Sequence, residues 1–564
     1  MTDHDGTRNP MHVTPRRSLV VAAALVGLLA PAAASADPAP APSSAPTPTP
    51  ACTTASSPDG LEPPCNPYLA DSSWAMGHRN PYAQASVGVA GPRPGQQVTH
   101  DYVGLPDMPP GVVVGALFSG PYADGKRVAW SLGVAGTNDN PIYKIDPETR
   151  QVIDMYTHLT DELEPPTEAA ALSGIYVMLD RDNRLIQPRG RTIVVYGDEV
   201  PGDRLSPIAK LHEFPLPAWA LCGEDDQLVG QSMRWDGTMT FVTRHGMVGV
   251  VPRDIERMDA QHLVVASIND PAACADGDVE ALETVSNSLA ADETGGIFPV
   301  SDEAQYRFDV VDGQLRQTWR AAYQTGSGTS ATRQDTGSGS TPTLMGTRQR
   351  DDKFVVITDG QDLTHLVLMW RGAIPPSWPG LPGRPRRIAC EFPIDFGDPL
   401  RTRSSSEQSV VVRGYASLVP NNELRNTALV DPLIAPLTSV GNLPLRLAIG
   451  GYLGQFPLHQ PYGFERIDWD PVTRSCKTVW VNKTVSIPNG VPSMSAGSNL
   501  VYGIGVRNGV WGLEGMDFAT GRSVLRVEGS ANLFENPYYS GLQTAPDGSM
   551  WSGANLGFTV YDPQ

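Results

Sequence analysis

Asp335-Thr336-Gly337-Ser338 spells a sequence that, in two copies, brings a pair of aspartates together to share one proton. That chemistry needs both copies, each reached from an apolar strand. Here the sequence occurs once, behind the polar stretch TSATRQ, so a Gly/Ser/Thr loop explains it. Gly503-Ile504-Gly505-Val506-Arg507-Asn508-Gly509 has the glycines of a phosphate loop but no helical pattern behind them, and reads as a turn between strands. No G-x-S-x-G occurs to raise a serine nucleophile on a sharp strand-to-helix turn. The histidines are dispersed, without H-x-H or H-E-x-x-H. His245, His365 and His459 are the ones whose context suits a general base, against the commoner packing role.

These residues sit in an unusual chain. Pro15-Arg16-Arg17-Ser18 precedes an apolar run from Leu19 to Ala30, and Ala34-Ser35-Ala36 is a small-residue cleavage site. Residues 1–36 are therefore expected to be a signal peptide, with the paired arginines allowing the twin-arginine route. Residues 37–67 are rich in Pro, Ala, Ser and Thr and read as a disordered linker, because such a composition cannot bury enough apolar surface to fold. The expected destination is outside the bacterial cytoplasm, as a secreted, periplasmic or envelope protein with no transmembrane span after cleavage.

The formal charge is -19; removing Arg8, Arg16 and Arg17 against Asp3 and Asp5 takes away +1 and leaves -20. So acidic a chain repels phosphate backbones, and nucleic acid is not an expected partner. Six cysteines are scattered without a C-x-x-C. An even number in an exported chain favours disulfides. Chain order pairs Cys52 with Cys65, Cys222 with Cys274 and Cys390 with Cys476, one of 15 arrangements that six cysteines allow.

One grammar recurs from Val112 onward: a small or polar start, a short apolar strand, a tight Asp/Asn/Gly turn, then further strands that often end in Asp. GSGSTPTLMGTRQRDDKFVVITDG (337–360) is one copy; IYKIDPETRQVIDMY (142–156) and FERIDWDPVTRSCKTVW (464–480) are late strands of others. Unit starts fall near Val112, Leu172, Leu228, Leu282, Ser340, Val410, Val491 and Ser540. Several antiparallel strands repeated at tens of residues predict an all-β fold, a β-propeller of eight blades, with seven as the second choice. A β-sandwich plus a second β domain is the competing architecture, and it lacks this repeated grammar. Residues 68–564 then form a single propeller domain. The last unit is short of a strand, and the stretch between Trp74 and Val103 is expected to supply it and close the ring. Pro-rich connections at 373–408 and 421–447 read as excursions over one face. Trp130, Trp235, Trp319, Trp480 and Trp551 recur late in strands and suit packing between blades.

In such a ring the first residues of the innermost strands face the axis. That makes Ser173, Gln231, Asn287, Ser340, Ser493 and Ser540 candidate ligand-binding residues, a polar and uncharged set. Glu283, Asp292 and Asp302 flank Asn287 in sequence and are the nearest source of charge.

Three segments resemble regucalcin/gluconolactonase-like propellers: SGPYADGKRVAWSLGVAGTNDNPIYKIDPETRQV (119–152), SNSLAADETGGIFPVSD (286–302) and SGLQTAPDGSMW (540–551). The resemblance implies a divalent cation on the axis, calcium or magnesium by its hard oxygen ligands, polarising a lactone or ester carbonyl. Ser119 and Ser540 stand where that family has Glu and Asp, so only Asn287 keeps a ligand-type side chain, with Glu283 or Asp302 nearby. The strand-Thr-Asp-Gly ending of 354–360 is similar to quinoprotein-like repeats, which implies a quinone held by adjacent cysteines and a tryptophan. This sequence has no Cys-Cys pair. No cofactor is predicted, with calcium as an ion the resemblance admits. The expected role is a non-catalytic binding propeller for a small polar ligand or an envelope protein. A metal-dependent hydrolase or lyase with a rebuilt axial site is the alternative and a quinone-linked oxidoreductase the third.

Overall fold

The computed structural model describes residues 59–135, 140–157, 174–276, 281–327, 332–333, 336–427 and 450–564. Eight antiparallel sheets follow one another along the chain, at 111–156, 178–215, 228–267, 290–322, 343–393, 411–482, 493–528 and 542–563. They are the blades of an eight-bladed β-propeller, numbered here 1 to 8. Their innermost strands are Gly111–Phe118, Met178–Leu179, Leu228–Met233, Ala290–Ala291, Thr343–Met345, Val411–Arg413, Ser493–Ser495 and Leu542–Thr544. The starts read from the sequence fall within three residues of six of these. Leu172 and Leu282 fall earlier, because polar lead-ins there precede very short inner strands.

Blade 8 has three strands from the end of the chain. Its fourth, outer strand is Val98–Gly104, which pairs antiparallel with Gly557–Pro563 along its whole length. Blade 7 carries a fifth strand, Ser86–Val87, laid parallel to its inner edge.

A twisted sheet of this kind is apolar on both faces, so each blade must be covered by its neighbours. Phe354, Trp370 and Trp469 meet between blades 5 and 6 with ring centroids 4.7 to 6.0 Å apart. Trp551 of blade 8 meets Phe118 of blade 1 edge to face at 5.6 Å. Trp130, Trp480 and Trp551 are buried, and Trp235 and Trp319 partly so. Each such ring contributes area that no polar side chain could replace.

The proline-rich stretch 373–408 is not one excursion. It contains Ile388–Pro393, the outer strand of blade 5, so its two loops emerge at opposite ends of that strand. Of 421–447, residues 428–447 lie outside the described chain. Asp59 to Pro67, linker-like in composition, are folded against the blades through polar groups: Thr347 Oγ1 donates to Gly60 O at 2.9 Å and Trp235 Nε1 to Cys65 O at 3.0 Å.

Cys222 bonds Cys274, and Cys390 bonds Cys476 with Cα atoms 6.2 Å apart. Cys65 is disulfide-bonded too; Cys52 lies outside the described residues. The Cys390–Cys476 bridge joins the outer strands of blades 5 and 6, where the wedge between two sheets is widest. Replacing both cysteines by serine should cost about 2–4 kcal/mol. Urea unfolding without reductant checks this: the midpoint should fall in the double variant, and an unchanged midpoint contradicts it.

Candidate functional site

An inner strand leaves one edge of backbone N–H and C=O groups facing the ring axis, and such groups must find partners. One segment supplies them to seven of the eight blades. Ser73 Oγ donates to Thr544 O of blade 8 at 2.7 Å. Phe118 N of blade 1 donates to Trp74 O (2.9 Å) and Leu179 N of blade 2 to Ala75 O (2.7 Å). Ala291 N of blade 4 reaches Pro81 O (2.8 Å), and Leu344 N of blade 5 reaches Tyr82 O (2.8 Å). Val412 N of blade 6 then meets Gln84 O (3.1 Å), and Met494 N of blade 7 meets Ala85 O (2.9 Å). Blade 3 is held slightly earlier, by Asn66 Nδ2 on Met233 O at 2.9 Å. From Ser73 to Val87 the chain therefore runs once round the inner rim as a hoop.

The hoop is made at a conformational cost. His78, Arg79, Ala83 and Ala85 have φ of 56°, 81°, 56° and 48°, a region that residues with a Cβ seldom enter. Strain of this kind persists only where its surroundings over-determine it. Here Trp74, Met76 and Tyr82 are buried anchors. The Tyr82 ring lies 4.8 Å from the Arg371 guanidinium, and its hydroxyl donates to Glu293.

Ala85 N donates to His78 O at 3.1 Å, which closes residues 78–85 into a loop and points His78 across the axis. His78 Nε2 is 3.2 Å from Ser409 Oγ, just before the inner strand of blade 6. Its ring is 5.8 Å from Tyr176, just before that of blade 2. The Tyr176 hydroxyl donates to Asn287 Oδ1 at 2.8 Å, just before that of blade 4. One side chain of the hoop thus ties together the lead-ins of three alternate blades. His78 and Tyr176 are half-buried. Burial lowers the pKa of His78 to about 4 and raises that of the Tyr176 phenol. Both are neutral at pH 7. Gln408, which precedes Ser409 in sequence, is 2% exposed, and neither its amide oxygen nor its nitrogen has a hydrogen-bond partner. Glu407, the nearest carboxylate in sequence, lies 3.9 Å from the buried Arg333.

The residues singled out from sequence are distributed unevenly. Asn287 belongs to this cluster. Gln231 Nε2 is spent on Ile186 O of blade 2 at 2.7 Å, leaving its amide oxygen without a partner. Ser340 Oγ is bound within blade 5 to Ser338 and Thr358. Ser540 Oγ bridges to Val114 O of blade 1 at 2.8 Å. Ser493 Oγ is fully buried without a partner, and Ser173 lies outside the described residues. Glu283 faces Arg320 at 2.7 Å and accepts from Ser301 Oγ, while Asp302 accepts from Thr284 N; Asp292 pairs with Arg371 at 3.4 Å. His245, His365 and His459 are held locally by Cys222 O, Gln361 and Arg425 O. Asp335 lies outside the described residues. His78, Tyr176, Gln408 and Ser409 were missed. The signal available for His78 was a lone histidine inside GHRNPY, ahead of the first repeat.

The cation that a gluconolactonase-like propeller implies does not fit these residues. Ser119 follows its inner strand, whereas Asn287 and Ser540 precede theirs, so the three positions sit at opposite ends of the ring. Asn287 Oδ1 accepts from a phenol, and among the described residues no three His, Cys, Asp or Glu side chains gather. A divalent ion would have to exchange its hydration shell for neutral oxygens alone.

No protein-family model matches the chain. An uncharacterized protein of Archaeoglobus fulgidus is 39% identical over 497 residues, covering 88% of each chain. Among solved structures, a quinohemoprotein alcohol dehydrogenase from Pseudomonas putida HK5 superposes with a TM-score of 0.50 at 12% identity, over 89% of this chain and 81% of that one. A europium-containing methanol dehydrogenase gives 0.52 at 11% identity, over 87% and 97%. Likeness at this level is likeness of fold. The described cysteines sit in disulfides between distant residues, which leaves no adjacent pair to clasp a quinone.

A histidine held at about 4 has a sign that can be checked. Its folded pKa lies below the unfolded value near 6.5, so the unfolded chain takes up the extra proton. Stability is full above 6.5 and is lost as pH falls through the window to 4, by up to about 3 kcal/mol. His78→Gln should flatten this limb of the Tm-against-pH curve. A variant that follows the wild-type curve in that window contradicts the placement.

Proposed function

The chain belongs to the same family as the Archaeoglobus fulgidus protein, and from that premise we propose that it is an exported binding propeller taking a small uncharged polar ligand in its axial well. The carrying observation is the chemistry at the hoop. A histidine kept neutral is hydrogen-bonded to a serine, a phenol in ring contact with that histidine donates to an asparagine amide, and the glutamine preceding the serine in sequence has neither donor nor acceptor satisfied. An unsatisfied buried amide is costly, and a ligand bearing hydroxyls or amides would relieve it. A charged ligand would find no counter-ion among His78, Tyr176, Asn287, Gln408 and Ser409. The strained backbone at His78 and Arg79 supports the same region, because strain collects where binding needs fixed groups.

Export rests on the N-terminal pattern, and the Cys222–Cys274 and Cys390–Cys476 bridges favour an oxidising compartment. Among the described residues no helix is long and apolar enough to cross a membrane. A larger envelope partner, rather than a small ligand, would instead use the outer loops.

Thermal melts against a panel of neutral sugars and polyols, organic acids, amines and calcium test the reading. A ligand at about 100 times its Kd stabilises by roughly 2.7 kcal/mol. A neutral compound should raise Tm, and Asn287→Leu should abolish the rise. Stabilisation only by calcium or by a charged compound would contradict it, and would favour a hydrolase with a rebuilt metal site.

A further inference from the structure

Asn536-Pro537-Tyr538-Tyr539-Ser540 places two adjacent tyrosines just before the inner strand of blade 8. They stand at the same end of the ring as Tyr176, Asn287 and Ser409, which also precede their inner strands. Tyr452 comes from the connection between Ala416–Pro420 and Phe464–Asp470, the second and third strands of blade 6. That second strand runs antiparallel to the first, so the connection opens at this end too.

The three rings form a half-buried row. Tyr452 and Tyr538 have centroids 5.9 Å apart, and Tyr538 and Tyr539 meet edge to face at 5.6 Å. Tyr538 and Tyr539 take φ of 41° and 64°, a costly choice for two consecutive residues with a Cβ. Asparagines hold them there. Asn536 Oδ1 accepts from Tyr538 N at 3.0 Å, and Asn536 Nδ2 and Asn489 Nδ2 both donate to Gly451 O, at 3.1 and 3.0 Å. A Cβ on Gly451 would stand 3.0 Å from the Tyr538 ring, so the glycine makes room for it. Asn422 continues the lacing, donating to Pro488 O and accepting from Glu407 N, each at 3.0 Å. Ser409, the partner of His78, is two residues further on. The lead-ins of blades 6, 7 and 8 are thereby one rim, which carries the tyrosine row and the contact to His78.

This rim adds aromatic surface without charge. Burial raises the pKa of the Tyr538 and Tyr452 phenols, so both are protonated at neutral pH. Glu535, the adjacent carboxylate, is turned to His100 at 3.2 Å and to Ser530. The Tyr452 hydroxyl is engaged with Asn555 Oδ1 at 3.1 Å, which leaves its ring rather than its tip for a ligand. An aromatic face takes an apolar face, while uncharged amides and hydroxyls take hydroxyls. A pyranose carries both, with C–H groups across one face of a rigid ring and hydroxyls round its edge. A linear polyol has the hydroxyls without the flat face.

Resting on the reading of the axial well as a site for a neutral polar ligand, we propose that this ligand is a saccharide with a pyranose ring packed against Tyr538 and Tyr452. Its hydroxyls fall to the polar groups on the His78 side of the rim.

Isothermal titration of the full chain with glucose, galactose, mannose, maltose, cellobiose and lactose, against sorbitol, galactitol and mannitol, tests the assignment. A pyranose sugar should bind and the alditols should not. Tyr538→Leu, which keeps bulk but removes the aromatic face, should weaken binding roughly tenfold. Tyr538→Phe should bind as the wild type, and Tyr452→Leu, outside the strained pair, reads the same row even if the loop at Tyr538 tolerates no change. The assignment is overturned if sugars and alditols bind alike, if Tyr538→Leu and Tyr452→Leu both bind as the wild type, or if only acyclic neutral compounds bind. In each of these cases the axial well still takes a neutral ligand. Absence of binding by every neutral compound removes that reading, and this assignment with it.

Discussion

Everything at the axis depends on one constraint: eight inner strands present open backbone edges to a narrow channel, and those edges must be satisfied. In this molecule one hoop of the same chain does it for seven of them, from Ser73 to Val87, by hydrogen bonds of 2.7 to 3.1 Å between the hoop's groups and the inner strands it passes, and Asn66 serves the eighth. A net hydrogen bond contributes only about 1 kcal/mol, but an unpaired buried one costs more. The hoop therefore acts less as an added stabiliser than as the means by which eight small sheets share one interior.

That arrangement has consequences for chemistry. The left-handed residues that keep the hoop within the ring are also those that aim His78 inward. Enclosure keeps its imidazole neutral, and the neutral ring can bridge Ser409 and the Tyr176–Asn287 pair. The charged groups close to the hoop are turned to each other instead, as in Arg371 with Asp292 and Arg79 with Glu62. The axis is thereby left polar and uncharged, which is unlike a site built to hold a divalent ion.

The blades were legible in the sequence because their signal is local and repeated. Strand alternation and Asp-Gly turns sit within single units, and eight starts could be located from them. Asn287 was legible for the same reason, as the residue leading into an inner strand. The hoop was not, because its bonds to the blades are mostly backbone bonds, which place no demand on residue type and leave no period. Gly77-His78-Arg79-Asn80-Pro81-Tyr82 therefore reads as a plain loop until the six backbone carbonyls and the Ser73 and Asn66 side chains that partner the inner strands are seen together. Ser340 and Ser540 show the reverse error. They hold the expected positions, but turn geometry directs their hydroxyls into the blades and not to the axis.

Hydrogen exchange read by mass spectrometry tests the hoop most directly. Peptides covering the amides of Leu344, Val412 and Met494, which donate to hoop carbonyls, should exchange as slowly as those covering the middle strands of the same blades, because these amides lose protection only when the ring opens. Rapid exchange of those three amides in a protein whose middle strands stay protected would contradict the account, since the hoop would then be a detachable tail and His78 no fixed part of the axis.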